Sequence, residues 1–586
     1  MIATAWFAVE QYLWLGGAIV SAYGAGTLAM DRCPPAARWP GALHALFSLA
    51  TGLGVLALAL LVLALAARLQ PLPVTLVVAA SGAVGAVRGL RLLRAAAPRL
   101  IAGAAPAVRR PHAWFWIAVG TLVSLPLLVD PLRPPQYWDE LMYHLPLARA
   151  WAGSGALVVL PELRFPLFPS NFTLLYAAAL LYGNDVLPHL LHALAGTVVA
   201  LGLIVAAPRW FDRRVGWVAA LLFVAAARPG FALAYNDLGL TLFVAFAFLA
   251  LALWYEEGDR SLVVLAAFLF GLGLGTKTQG LLMAPLFGFW IARRTPDLRT
   301  CAAAAVAAAI GGGFWYVRSF AISGDPIHPF GAPLFGYWVW DRADLGAQIA
   351  SLRTERGAPV WVLWPAFAAG AWWRGSSGMY RALCATGYAA LLLWAITSGY
   401  ARYLMPAYPL LALMAGSVLV RAADRLRGLP LAASIAPPAA TALRVVAVVA
   451  VAGWSVTEVR RSTALVGPTA AARDAVLGRV LDGYDLFRAM PLDRPWRLYQ
   501  FGFEGELYYA PVPVVGDWFG PHRYRRVLEL AADPPALAAW LRAEGLNGLV
   551  VNTRRPPFST TRFGPSFSDA FDLILETPSA RLYAIR

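Results

Sequence analysis

The stretch that decides the fold is residues 113–146, where the apolar run AWFWIAVGTLVSLPLLV (113–129) is soon followed by YWDELMYHLP (137–146). The first part is long enough to cross a bilayer as a helix. The second part places two adjacent carboxylates, Asp139 and Glu140, among aromatic residues where the chain leaves the membrane. Charged groups in such a place are costly unless they are used. The stretch therefore predicts a polytopic membrane protein with a chemical site at the bilayer surface.

Composition favours a membrane protein along most of the chain. The 586 residues are 60% hydrophobic and only 14% charged, with a mean hydropathy of +0.62. Asn171 to Tyr182 is apolar but too short to span, so we predict an interfacial helix there. Apolar stretches of about 20 residues predict membrane-spanning helices. The fourteen predicted spans lie near 6–29, 42–67, 72–90, 113–129, 186–207, 215–233, 238–255, 261–276, 280–292, 301–320, 358–373, 381–398, 403–420 and 440–457.

The formal charge of +16 comes from arginines that cluster in loops between spans. This pattern is typical of cytoplasmic loops and of attraction to anionic lipids, and it argues against nucleic-acid binding. The loops between these arginine-rich loops then lie on the extracytoplasmic side. The candidate chemical residues and the C-terminal tail are predicted to lie on that side too. The arginines that define the cytoplasmic side are Arg32, Arg38, Arg88, Arg91, Arg94, Arg99, Arg109, Arg110, Arg209, Arg213, Arg214, Arg293, Arg294, Arg299, Arg374, Arg381, Arg421, Arg425 and Arg427.

The tail differs from the rest because it is richer in charge and carries short β-like runs at 497–501, 549–552, 571–575 and 581–585. A helix-like run occupies 535–544, so we predict a small soluble α/β domain. The predicted fold class is an all-α polytopic membrane protein of about 11–14 transmembrane helices with this domain at its end. The predicted domains are N-terminal membrane helices (1–112), a transmembrane catalytic core (113–457) and an extracytoplasmic domain (458–586).

Three acids are the candidate catalytic residues: Asp139, Glu140 and Asp237. A carboxylate beside a dry cleft can remove a proton from an attacking hydroxyl or hold a divalent cation. The alternative is structural, because each acid lies near the start of a helix and could simply cap it.

The basic candidates are Lys277, Arg318 and Arg402, all at ends of predicted spans on the same face as the acids. Lys277 is the only lysine in the chain, and the other 47 basic residues are arginine. A compact ammonium suits a phosphate oxygen, whereas the planar fork of arginine suits bidentate contacts. Anchoring of helix ends at the interface is the alternative for all three. Together with Tyr403, they form the predicted donor-phosphate site.

Tyr143, His144 and His328 are predicted substrate contacts. The three cysteines have no metal or redox spacing, and no metal-ligand set is predicted, although an acid pair leaves a divalent metal open. Metalloprotease, lipase, P-loop and dinucleotide motifs are absent from the sequence. No cofactor is predicted with certainty.

At these residues the chain resembles the GT-C superfamily of polytopic glycosyltransferases, which includes the protein O-mannosyltransferases and the bacterial aminoarabinose transferase. The resemblance covers roughly residues 113–420. Its motifs are Asp139-Glu140-Leu141-Met142-Tyr143-His144-Leu145-Pro146, Gly275-Thr276-Lys277, Arg318 with Gly324-Asp325-Pro326-Ile327-His328-Pro329, and Arg402-Tyr403-Leu404-Met405-Pro406-Ala407.

The resemblance implies a polyprenyl-phosphate-linked sugar donor, inversion at the anomeric carbon and a first-loop acid as catalytic base. The acceptor is expected to be a hydroxyl of a glycan, a lipid or a protein, at the extracytoplasmic face of a bacterial inner membrane. The residues suggest a matching division of work: Asp139 as base, Asp237 as an orienting group, and Lys277 with Arg402 as phosphate holders. A lipid or sugar transporter is the main alternative, and an inactive scaffold subunit is another. Transporters place their ionisable residues near the bilayer midplane, whereas these lie at ends of spans.

Overall fold

The structure is a computed structural model that describes residues 2–108, 111–294, 297–427, 437–555 and 561–586. Nine helices of these residues are long and apolar enough to cross a membrane, which confirms a multi-pass membrane protein. The helices of the membrane part and its loops are α1 (Ile2–Met30), α2 (Gly41–Leu65), α3 (Pro71–Val108), α4 (Pro111–Val129), α5 (Leu145–Ser154), α6 (Asn171–Leu180), α7 (Leu187–Ala206), α8 (Arg213–Ala227), α9 (Asp237–Glu257), α10 (Arg260–Leu274), α11 (Ala284–Arg293), α12 (Leu298–Ala308), α13 (Phe314–Ser323), α14 (Ala332–Phe335), α15 (Arg342–Thr354), α16 (Gly378–Ile396), α17 (Tyr408–Arg427) and α18 (Pro437–Thr463).

Most predicted spans coincide with helices. Nine match the nine long apolar helices, and the predicted spans at 113–129 and 261–276 match shorter apolar ones. The predicted span at 358–373 is instead a 3-10 segment, Trp361–Trp372, with Pro365 inside it. Proline lacks the N–H that an α-helix needs at that point. The predicted arginines Arg109 and Arg110 lie outside the described residues.

The predicted interfacial helix is α6, and it lies inside the protein rather than on the membrane surface. Almost all of its residues are buried. Hydropathy could not distinguish the two cases, because protein core and lipid interface both accept apolar side chains.

The first two helices join the same apolar core as the central bundle. Small residues allow α1 and α2 to approach backbone to backbone: a Cβ added to Gly26 would lie 1.7 Å from the carbonyl oxygen of Ser48, and one on Gly52 would lie 1.7 Å from that of Ala22. Such close approach is typical of helix pairs in membranes. The first two helices are therefore an integral part of the bundle.

The ends of the helices separate two kinds of chemistry. Helix α9 begins at Asp237 among the candidate catalytic groups and ends at Glu257, which pairs with Arg209 at 3.0 Å. We call the first end the site face and the second the arginine-rich face, which also carries Arg214 and Arg293. The two faces are opposite ends of one bundle, as the distribution of arginines predicts.

The tail forms a small α/β unit, as predicted. Its five-stranded sheet has the order β2-β1-β3-β5-β4, with β2, β1 and β3 parallel and β5 antiparallel to β3 and β4. The elements are α19 (Ala470–Val480), α20 (Tyr484–Ala489), β1 (Leu498–Phe501), β2 (Val514–Val515), α21 (Tyr524–Leu530), α22 (Pro534–Ala543), β3 (Gly548–Asn552), α23 (Phe567–Ala570), β4 (Phe571–Thr577) and β5 (Ala580–Ile585).

Both faces of the sheet are covered. Leu549 and Val551 of β3 belong to one apolar cluster, and the intervening Val550 belongs to the other. Side chains of a strand point alternately to its two faces, so β3 must be apolar throughout to serve both clusters. This explains why the run 549–552 could be recognised from the sequence.

Candidate active site

The first loop builds the site around one fully buried carboxylate, Glu140. One of its oxygens accepts the backbone N–H groups of Gln136 (2.7 Å) and Tyr137 (2.9 Å). The other accepts the N–H of Ala234 at 2.8 Å and lies 3.0 Å from Nε2 of His189. These four partners use the hydrogen-bonding capacity of the carboxylate. The geometry therefore favours a positioning role for Glu140 over the catalytic role predicted for it.

Asp139 begins a single π-helical turn, Glu140–His144, a feature often found at functional sites. Its side chain makes no capping hydrogen bond. Instead, Oδ2 of Asp139 lies 2.7 Å from Nη2 of Arg402, and the Asp139 side chain keeps 15% of its surface exposed. The hydroxyl of Tyr235 accepts the N–H of Asp139 at 3.2 Å, and its ring lies 4.9 Å from the Arg402 guanidinium carbon. The capping alternative does not describe Asp139.

A second ion pair lies deeper, between Nζ of Lys277 and Oδ1 of Asp237 at 2.8 Å. Both side chains are at most 5% exposed. The turn that carries Lys277 depends on Gly275, where an added Cβ would lie 2.4 Å from Nδ2 of Asn171 and 2.8 Å from the Cα of Gly312. The N–H of Asn171 also donates to the Gly275 carbonyl at 2.8 Å. Packing between helices thus fixes the ammonium in place.

The two ion pairs form one electrostatic group. The charge of Arg402 attracts Asp237 and repels Lys277, and the charge of Asp139 attracts Lys277. The ring of Tyr403, the neighbour of Arg402, lies 5.9 Å from Nζ of Lys277. The structure therefore brings together Asp139, Asp237, Lys277, Arg402 and Tyr403, although they come from widely separated parts of the chain.

Several polar atoms around these pairs are buried without a hydrogen-bond partner among the described residues. They are Oδ2 of Asp237, Oδ1 of Asn236, Nε2 of His144, Nε of Arg402 and Oε1 of Gln279. A buried polar atom without a partner costs free energy, on the order of 1–3 kcal/mol. Their convergence on one small region indicates a place that a polar ligand fills.

Tyr143 and His144 border this region. Their ring centroids are 4.1 Å apart, and the His144 ring is 5.9 Å from that of Tyr235. Burial, together with the positive charge of Lys277, holds the pKa of His144 well below its usual range. A neutral imidazole with a free Nε2 can form a hydrogen bond to a substrate hydroxyl without adding charge.

Arg318 and His328 lie apart from the two ion pairs. Arg318 is 9% exposed, its guanidinium lies over the Trp315 ring, and its Nη2 has no hydrogen-bond partner among the described residues. His328 is 3% exposed, and both of its ring nitrogens also lack such partners. Burial lowers the pKa of His328 to about 4, so it is neutral near pH 7. Their predicted roles in binding phosphate and substrate stay predictions.

Each site carboxylate faces a cation supplied by the chain itself. Among the described residues, no three His, Cys, Asp or Glu side chains converge in the way that metal ligands do.

Sequence reasoning missed Tyr235, Asn236 and Gln279. Each is a direct neighbour of a predicted residue or close to one, in the segments Tyr235-Asn236-Asp237 and Lys277-Thr278-Gln279. Polar side chains beside a candidate charge at the end of a span are the signal that could have found them. His189 was also missed, and only the fold reveals its contact with Glu140.

The C-terminal domain covers the first loop. An added Cβ on Gly505 would lie 2.9 Å from the Trp138 ring, and the Arg555 guanidinium carbon is 5.9 Å from the centre of that ring. The hydroxyl of Tyr509 donates to the carbonyl of Pro135 at 2.6 Å. Trp138 directly precedes Asp139. The domain therefore contacts the residue next to the candidate base.

The domain also holds two other loops. Arg164 donates two hydrogen bonds to Asp517, at 3.1 and 2.5 Å. Arg523 pairs with Asp344 at 3.1 Å and with Asp341. Three separate loops of the site face are therefore attached to one domain.

Comparison with known sequences gives matches to parts of the chain, and the family match falls in this domain. A family described as SF2091/S2213 matches residues 472–584. Uncharacterized protein SF2093/S2215 of Shigella flexneri is 43% identical over 90 residues, 15% of this chain and 45% of that protein. Uncharacterized protein SF2092/S2214 of the same organism is 39% identical over 64 residues, 11% of this chain and 35% of that protein. The chain thus spans less than half the length of these curated relatives.

Comparison with solved structures covers most of the chain. ArnT from Cupriavidus metallidurans bound to undecaprenyl phosphate superposes with a TM-score of 0.52 at 16% sequence identity, over 81% of this chain and 98% of ArnT. The chain has a GT-C-like fold. The apo state of the same ArnT gives a TM-score of 0.51 over the same shares. In this chain, Asp139 of the first loop faces Arg402, and Asp237 faces Lys277.

Proposed function

We propose that the protein is an inverting GT-C-type glycosyltransferase. It moves a sugar from a polyprenyl-phosphate-linked donor to a hydroxyl acceptor at the extracytoplasmic face of a bacterial inner membrane. The observation that carries the proposal is the group of two carboxylates and two cations in one polar region at the site face. The binding of undecaprenyl phosphate by ArnT, which shares the fold, supports a polyprenyl-phosphate partner.

In the structure Asp139 is paired with Arg402 and Asp237 with Lys277. A donor phosphate competes for Lys277 and Arg402, because it is a strong acceptor for both. Arg402 then turns from Asp139 toward the phosphate, which leaves the Asp139 carboxylate free to accept a hydrogen bond from the acceptor hydroxyl. The donor therefore prepares the base that the reaction needs.

The chemical step follows from this exchange. Asp139 takes the proton of the acceptor hydroxyl, the acceptor oxygen bonds to the anomeric carbon, and the bond from that carbon to the phosphate oxygen breaks. Polyprenyl phosphate leaves with both electrons of the broken bond, and Lys277 and Arg402 stabilise its added negative charge. A phosphate leaving group needs cations more than a protonating acid. Asp237 orients the ammonium and the substrate, and alignment of donor and acceptor at the interface supplies the remaining advantage.

The same proposal assigns three parts to the chain: membrane helices over 1–112, the catalytic core over 113–457 and an extracytoplasmic domain over 458–586. The match of a sequence family to residues 472–584 supports a distinct C-terminal unit. The acceptor is a hydroxyl of a glycan, a lipid or a protein.

Purified protein in nanodiscs, given a panel of undecaprenyl-phosphate-linked radiolabelled sugars, tests the proposal. Wild type should release undecaprenyl phosphate from at least one donor, and Asp139→Asn should be slower by roughly 10²–10⁴-fold, the usual contribution of a general base. Glu162→Gln is the matched control, because Glu162 lies in the next loop, on the same side of the bundle, and has no ion pair among the described residues.

Equal turnover by wild type and Asp139→Asn would refute the assignment of the base. Movement of the labelled lipid across the bilayer without bond cleavage would identify a transporter instead. Binding without cleavage or movement would favour a scaffold.

A further inference from the structure

A cavity extends toward the arginine-rich face. It has a volume of about 630 Å³ and opens between α7, α9, α11, α16 and α17. Its walls are mostly apolar and include Trp210, Trp290 and Trp373. The volume falls in the range of sites that bind small molecules, which is about 300–1,000 Å³.

This cavity is distinct from the candidate active site. None of Asp139, Asp237, Lys277 and Arg402 lines it. Helix α9 has Asp237 at one end and the cavity residue Tyr255 near the other, 18 residues further on. At 1.5 Å per residue, this places Tyr255, at the outer end of the cavity, roughly 27 Å from Asp237 along the helix, whereas the inner end of the cavity reaches Val244.

Two cations, Arg293 and Arg381, line the outer end of the cavity. Nε1 of Trp290 on α11 donates to Oγ1 of Thr386 on α16 at 2.8 Å. Arg293 follows Trp290 by three residues, whereas Arg381 precedes Thr386 by five, and both line the cavity. Because α11 runs toward the arginine-rich face and α16 runs away from it, both positions lie beyond this hydrogen bond in the same direction.

The two guanidinium groups are available for a ligand. Both residues are exposed, and neither has a carboxylate partner in the described part of the chain. Arg381 makes a single hydrogen bond to the carbonyl of Ser376 at 2.7 Å. The nearby acids of α9, Glu256 and Glu257, already pair with Arg209 at 2.7 and 3.0 Å. The rim therefore carries net positive charge above an apolar chamber.

We propose that this cavity binds an anionic phospholipid, with acyl chain in the apolar chamber and phosphate between Arg293 and Arg381. Charge complementarity and the apolar lining together specify an amphiphile with a negative head. Tryptophan at this level matches the membrane interface, where a lipid phosphate lies. A polyprenyl phosphate held by Lys277 cannot place the same phosphate here, roughly 27 Å away. The proposal does not depend on the glycosyltransferase reaction.

Native mass spectrometry of delipidated protein tests the site with two probes of identical chains, dioleoyl phosphatidylglycerol and dioleoyl phosphatidylcholine. The first equivalent of phosphatidylglycerol should bind about tenfold more tightly than phosphatidylcholine, from the attraction of two arginines to an anionic head. Arg293→Gln with Arg381→Gln should remove this preference. Arg213→Gln with Arg299→Gln is the control, since both residues are exposed on the same face and do not line the cavity.

Ala252→Phe places a ring in the chamber, because Ala252 lines it. This variant should weaken the binding of both lipids and leave the preference for the anionic head group unchanged. If the double arginine variant does not fold, Arg381→Gln alone should reduce the preference by about threefold.

Two results would overturn the proposal. One is a preference for phosphatidylglycerol that survives in the Arg293→Gln, Arg381→Gln protein as it does in the control. The other is one-for-one displacement of phosphatidylglycerol by undecaprenyl phosphate in a manner that depends on Arg293 and Arg381, which would assign the cavity to the donor lipid.

Discussion

Replacement of Lys277 by methionine separates phosphate binding from folding at the deeper ion pair. The side chains of Lys277 and Asp237 are 4% and 5% exposed, and their charged atoms are 2.8 Å apart. Removal of one partner from such a pair leaves a buried charge and costs about 3–5 kcal/mol of folding free energy. Loss of the contact to the donor phosphate should cost about 2 kcal/mol more in binding, or roughly thirtyfold in Kd.

The two effects can be resolved with three variants and two measurements. The Kd for undecaprenyl phosphate and the midpoint of thermal unfolding should be measured for Lys277→Met, Asp237→Asn and the double variant. Lys277→Met should bind most weakly, because the negative Asp237 then repels the phosphate. Asp237→Asn should bind undecaprenyl phosphate at least as tightly as wild type, because the Lys277 ammonium no longer pairs with a carboxylate. The double variant should recover part of the stability and have intermediate affinity.

Arg213→Gln, on the opposite face, is the control for loss of a positive charge. A Kd for Lys277→Met within threefold of this control would refute the phosphate role of Lys277. A large loss of affinity in Asp237→Asn would show instead that the carboxylate takes part in holding the lipid.

Three further predictions concern the first loop, the tail and the topology. Glu140→Gln should lower the free energy of unfolding by about 3 kcal/mol, because its amide would present a donor to partners that already donate; an unchanged melting temperature with lost transfer would restore the catalytic role. Burial, with the charge of Asp517, raises the pKa of Glu504 to about 7. The folded state therefore holds this proton more tightly than the unfolded chain, so unfolding free energy should fall by up to about 3 kcal/mol as pH rises from 5 to 8. Glu504→Gln should reduce the fall of melting temperature with pH over this range, of which Glu506, whose pKa burial raises to about 8, supplies the rest. The exposed Glu355→Gln should leave it unchanged, and equal slopes for Glu504→Gln and wild type would contradict the assignment. Tags placed after Arg427 and at Arg586 should be accessible from opposite sides of the membrane, and labelling from one side would overturn the predicted topology.

Local patterns were sufficient for four strands of the tail, whereas the two-residue strand β2 (Val514–Val515) was not predicted. The run predicted at 571–575 is β4 (Phe571–Thr577), and the run at 581–585 is β5 (Ala580–Ile585). These segments are short and rich in apolar residues. Packing against neighbouring strands favours the same side chains, so the strands can be recognised from the sequence. Hydropathy was similarly sufficient for the long spans, since the bilayer imposes both length and composition.

The contacts of a candidate residue were harder to predict than its place at the end of a span. Asp139 and Glu140 are adjacent acids, yet one pairs with Arg402 and the other is saturated by Gln136, Tyr137, Ala234 and His189. These partners come from distant segments, so no local pattern distinguishes the two carboxylates. The same limit explains why Asn171–Leu180 was assigned to the surface although the fold buries it.

The attachment of three loops to one C-terminal domain has a consequence for substrate traffic. Trp138, Arg164 and Arg523 each connect the domain with a different loop of the bundle. No single loop can move outward alone while these contacts persist. Opening toward water therefore requires the C-terminal domain and the three loops to move together. Such collective motions typically take microseconds to milliseconds. A molecule already dissolved in the bilayer that enters between the helices does not need that displacement, so the attachment of the domain favours substrates that arrive from the lipid phase.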